Sequence, residues 1–168
     1  MTIPLIAPNL TKQPPHSPRE RLAGFVIARR TLDKCRADLA GMAGEYHYDC
    51  PLDRMLFSFK GIDGKQFREA VRKAKSDEEV GSWLVANGKP RTPLEIKEWS
   101  DHVEASRPIE NPKRRQDFSD ECEKLGLDPG ETTLFDWLEA DDRASFKAFR
   151  GFKPFQPKGT LRRLIFNS

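Results

Sequence analysis

Residues 44–53, GEYHYDCPLD, gather two tyrosines, a histidine, a cysteine, three carboxylates and a proline into ten positions. One chemistry such residues support is nucleophilic. A thiol is activated when a helix N-terminus or a basic neighbour stabilises its thiolate. Pro51 suits the first position of a helix, which sets Cys50 at the N-cap, with His47 three residues upstream and within reach across a turn. Cys50 is thus the candidate reactive thiol. Against activation stand Asp49 and Asp53, whose charges oppose a thiolate, and Asp53 also occupies the third helical position, where a carboxylate is an ordinary cap. The preferred reading of the stretch is a capping turn joining two helices.

A second chemistry is metal binding. His47-x2-Cys50-x2-Asp53 offers three ligand types, and Cys35 on the preceding helix could add a fourth. Structural zinc sites use paired Cys or His spacings, which one residue of each kind does not supply, so no metal is assigned. His16 in a proline-rich arm and His102 on the polar side of its helix add nothing to such a set.

A third chemistry is anion binding. Arg29, Asp33, Arg36 and Ala40 form a polar stripe on the first helix, with Arg30 and Lys34 one position further round. Long charged side chains beside an apolar stripe are expected to form a solvated rim. The alternative is a pocket for a small anionic ligand, in which Arg30, Asp33 and Lys34 face Glu45, His47 and Asp53, with His47 as acid or base. There is no glycine-rich phosphate loop, no GxSxG elbow and no paired-carboxylate motif, so no catalytic residue is assigned and no cofactor is expected.

Charge is distributed unevenly. The formal net charge is +3, yet the last carboxylate is Asp142; seven Lys or Arg follow it, leaving −4 on residues 1–142. From Phe146 the chain reads FKAFRGFKPFQPKGTLRRLIF, with Phe146, Phe149, Phe152 and Phe155 at every third position and cations between. Aromatics that stack and cations that meet phosphates suit single-stranded nucleic acid. Phenylalanine is also costly to expose, and docking of the tail on the domain or on another subunit is the preferred reading.

The elements that must position these residues are helical. Ser17-Pro18-Arg19-Glu20 offers a hydroxyl N-cap, a proline at the first position and a glutamate at the third. Leu22, Phe25, Ala28, Leu32, Cys35, Leu39 and Met42 then recur in steps of three and four, which predicts one helix over 17–42. Shorter helices are expected after Pro51, Asp63, Ser76, Thr92, Asn111 and Thr133, the last breaking near Asp141-Asp142. Alternating strand patterns and internal repeats are lacking. The expectation is an all-α fold: a compact bundle of about six to eight helices, with a proline-rich arm over 1–16, a single domain over 17–150 and a basic aromatic tail over 151–168. A hydrophobic share of 37% against 33% charged residues, with the apolar residues regularly spaced, supports a folded chain.

Ser17 to Leu22, Arg30-Thr31-Leu32-Asp33-Lys34, Gly44-Glu45-Tyr46, Leu52-Asp53 through Phe59 to Gly61-Ile62, and Ser76 to Val80 follow one another in an order that resembles the domain of unknown function 5069 family, over roughly residues 10 to 145. The resemblance implies a compact bacterial domain and supplies no mechanism. Three cysteines without a CxxC pair are expected to be reduced, and the opening MTIPLIAPNL lacks the basic and long apolar regions of a secretory signal. The expectation is a cytoplasmic protein without a membrane span, acting by binding a partner protein or small ligand; catalysis at the 44–53 junction and nucleic-acid binding by the tail rank behind.

Overall fold

The computed structural model of the chain describes residues 6–147. Among the described residues there are seven α-helices and no strand: α1 (Ala28–Leu39), α2 (Pro51–Lys60), α3 (Gly64–Lys73), α4 (Asp77–Ala86), α5 (Pro93–Glu104), α6 (Arg115–Lys124) and α7 (Leu134–Lys147), with a 3-10 turn at Pro108–Glu110. The all-α expectation holds. The chain divides into two compact units, Met1–Asp101 and His102–Ser168. Residues 1–5 of the arm and the whole 151–168 tail lie outside the described residues.

Most helices start where a side chain satisfies the backbone donors a helix leaves open. Asp63 accepts from Gln66 N–H at 2.8 Å while Gln66 accepts from Asp63 N–H at 2.9 Å. Thr92 and Glu95 repeat this reciprocal pair at 3.1 and 2.7 Å, and Thr133 and Asp136 at 3.1 and 2.9 Å. Ser76 Oγ accepts from Glu79 N–H at 3.2 Å. These are local bonds, so the sequence displays them directly.

The first helix differs from expectation: it runs from Ala28 to Leu39 rather than over 17–42. Glu20 N–H does bond to Ser17 O at 3.1 Å, but the chain leaves the helical path at once. Leu22 and Phe25 exchange backbone bonds of 3.1 and 3.0 Å around Ala23 and Gly24, whose φ angles of 51° and 87° give a tight turn of the mirror-image hairpin type. Ile27, fully buried, holds φ at 71°, uncommon for a β-branched residue, with its N–H on Pro18 O at 2.8 Å. Only beyond it can the helix propagate. The seventh helix also departs from expectation, continuing through Asp141 and Asp142, both buried, instead of breaking there. The sixth begins at Arg115 rather than at Asn111-Pro112, residues 111–114 forming a turn ahead of it.

In the first unit α1 packs on α2 and α3, and α3 on α4. Leu22, Phe25, Leu32, Leu56, Phe57, Phe67, Val80 and Leu84 form its apolar centre. Phe59 and Trp99 stack in parallel at 4.6 Å with Phe25 edge-on to both. The second unit buries Phe118, Cys122, Phe135 and Trp137, with Leu134 N–H bonded to Ser106 O at 2.9 Å.

Lys60, fully buried at the end of α2, donates to Lys89 O at 2.8 Å and Val85 O at 3.3 Å, fastening the loop between α4 and α5. Arg91 closes the same loop, donating to Phe59 O at 3.1 and 3.0 Å with its guanidinium 4.3 Å from the Phe59 ring centre. Gly88 is required here: its φ is 71°, and a Cβ would fall 2.0 Å from Lys60 O. Gly88→Ala is expected to destabilise the protein by more than about 1 kcal/mol in urea unfolding. Burial, and then the Arg91 charge, hold the Lys60 ammonium below the ordinary lysine range. Between the lowered folded pKa and the unfolded value of about 10.4, the unfolded chain keeps a proton that the folded chain has released, so this group adds stability as pH rises. Urea unfolding of wild type and Lys60→Met between neutral pH and pH of about 10 checks this: the stability of wild type relative to the variant should increase with pH.

Candidate functional site

The charged stripe of α1 is not a solvated rim. Arg30, Asp33, Lys34 and Arg36 are all buried, with Arg30 and Asp33 reaching the arm, Lys34 reaching α2 and Arg36 reaching α4. Lys34, 3% exposed, points its ammonium to three acceptors: Asp53 Oδ1 at 2.7 Å, Cys50 Sγ at 3.1 Å and His47 O at 3.3 Å. Two of these contacts are hydrogen bonds, and the third is an ion pair. Asp53, at 0% exposure, also accepts from Thr31 Oγ1 at 2.7 Å and from Cys50 N–H at 3.3 Å. Each partner of the ion pair is thus also hydrogen-bonded to other groups, the condition under which charges are tolerated in an interior.

The 44–53 turn is shaped around this pair. Gly44 has φ 56°, and a Cβ there would meet Leu10 O at 2.9 Å, so the arm can lie against the turn only with glycine at this position. Leu10, 1% exposed, bonds through its N–H to Met42 O at 2.9 Å. Tyr46 is buried with the Arg30 guanidinium 5.5 Å over its ring. Tyr48 donates to Gly64 O at 2.5 Å and stacks on Phe67. Burial raises the Tyr48 hydroxyl above the usual phenol range. Asp49, at φ 58°, makes the last bend before Cys50 and meets Arg54 Nε at 3.2 Å.

Of the candidate pocket residues, Lys34 and Asp53 meet directly, with Cys50 beside them. Arg30 turns instead to His16 O at 3.2 Å, and Asp33 binds His16 through its backbone N–H at 2.8 Å and its ring Nδ1 at 2.5 Å. Glu45 and His47 are exposed, and what His47 brings to the Lys34 site is its carbonyl. His16 is the residue that sequence reasoning passed over. Its signal is Pro14-Pro15-His16-Ser17-Pro18, a run that fixes an extended path along α1 but does not name the partner.

Other stripe residues bind α3 and α4. Arg36 Nη1 and Arg29 Nη1 share Asp77 at 2.5 and 3.0 Å, and Asp38 pairs with Arg68, whose guanidinium lies 4.9 Å from the Tyr48 ring centre. Among the described residues no group of three or more His, Cys, Asp or Glu is placed to hold a metal ion, so His47, Cys50, Asp53 and Cys35 do not converge on one. The joint sets the Cys50 thiol beside the Lys34 ammonium at the start of α2. The other cysteines are suppressed: burial pushes the Cys35 thiol up to about 12 and Cys122 up to about 11.

Two outcomes follow. In the native protein a maleimide should modify Cys50 first, with Cys35 and Cys122 reacting only on unfolding, as read by peptide mass spectrometry. Lys34→Met, which leaves Asp53 buried and unpaired, should lose about 3–5 kcal/mol in urea unfolding. Combining it with Asp53→Leu should lose less than the sum of the single changes.

Against known proteins, a search of curated sequences finds no match. A family model does match, described as domain of unknown function (DUF5069), and it spans residues 12–144, from the arm that carries His16 to near the end of α7. That range takes in the Lys34–Asp53 joint, the 44–53 turn, the first six helices and most of α7, and the protein belongs to the DUF5069 family.

Proposed function

We propose that this domain acts by binding, in the bacterial cytoplasm, with a partner protein as its favoured occupant and a small ligand as the alternative. The observation that carries this is the exposure of two large apolar side chains beside a fastened loop. Val85, near the end of α4, is 46% exposed, and Leu94, at the start of α5, is 63% exposed. The segment between them is held from below by Lys60 on Val85 O and Lys89 O and by Arg91 on Phe59 O. Apolar groups on a rigid base meet a partner without first losing conformational freedom. No described helix is long and apolar enough to cross a membrane, which agrees with a partner that is not a bilayer core.

Catalysis or anion binding at the junction of α1 and the 44–53 turn is the second reading. The specific observation in its favour is Cys50 Sγ at 3.1 Å from Lys34 Nζ. It is placed second because that ammonium is buried and already meets Asp53, Cys50 and the His47 carbonyl inside the protein. Nucleic-acid binding by the tail rests on the sequence pattern alone.

Three measurements separate these readings. A photo-reactive phenylalanine analogue at Leu94 should give a discrete cross-linked protein adduct in cells, lost on Val85→Glu. The same analogue at His47 should give none. A metabolite-dependent rise in thermal midpoint that disappears in both His47→Ala and Arg30→Ala would instead establish the junction pocket. A gel shift with oligonucleotides at low salt, where phosphate contacts are strongest, should stay negative.

A further inference from the structure

We draw no further inference here: the strongest candidate, the Cys50 thiol beside the Lys34 ammonium at the start of α2, belongs to the site already described and is a lone cysteine at a helix start, with nothing among the described residues that points to a ligand for it.

Discussion

A lysine and an aspartate with almost no access to water, Lys34 on α1 and Asp53 on α2, constrain the first unit more than any apolar contact does. Apolar packing is tolerant, since side chains of similar size exchange with modest loss. A buried ion pair is not. Each charge gives up its hydration, and the interior must return a hydrogen bond for every donor and lone pair left bare. The three acceptors around Lys34 therefore dictate backbone positions: the carbonyl of residue 47 must turn inward, Cys50 must stand at the start of α2, and Asp53 must be the third residue of that helix. Thr31, one turn before Lys34, completes the set by donating to Asp53. The course of the 44–53 turn is the consequence of this geometry.

The same logic explains why α1 carries charge on nearly every side and is still the central helix. Asp33 receives the arm, Lys34 receives α2, Asp38 receives α3, and Arg29 with Arg36 receives α4. Each neighbour brings a complementary group, so exchanging α3 with α2 or α4 would set Arg68 against a cation of α1 and a carboxylate against Asp38. Hydrophobic burial around Leu32 and Cys35 supplies cohesion, and the ionic contacts assign each element its place.

Legibility in the sequence followed distance along the chain. The caps at 63/66, 76/79, 92/95 and 133/136 join residues three apart, and their chemistry names both partners at once. The hairpin-type turn at Ala23-Gly24 was hidden because Ala takes the place usually held by Asn or Asp, and the apolar spacing through Leu22 and Phe25 mimics a helix. The site was harder still. Lys34 with Asp53, Asp33 with His16, and Arg36 with Asp77 lie 19, 17 and 41 residues apart, and any of a dozen carboxylates could have served each cation equally well on paper. Charge complementarity has no period, so a string of residues does not reveal which opposite charge will be met.

The contrast between the two histidines next to this helix shows what decides chemistry here. His47 belongs to the stretch richest in reactive residue types, yet it meets Lys34 through its backbone, while the thiol and carboxylate around it are filled by one ammonium. His16 comes from an arm with little else to recommend it, yet Asp33 holds its ring through Nδ1 while the side chain stays 44% exposed, with Glu20 Oε2 3.8 Å from Nε2. Reactivity requires a group that is both held and unfinished: held so that its geometry is fixed, unfinished so that a valence remains for something outside the protein. At the 44–53 joint the buried ammonium and carboxylate are spent on each other and on the backbone in forming the fold. At His16 the fold closes one side of the ring and stops, which is why the residue with the poorer sequence context has the better chemical position.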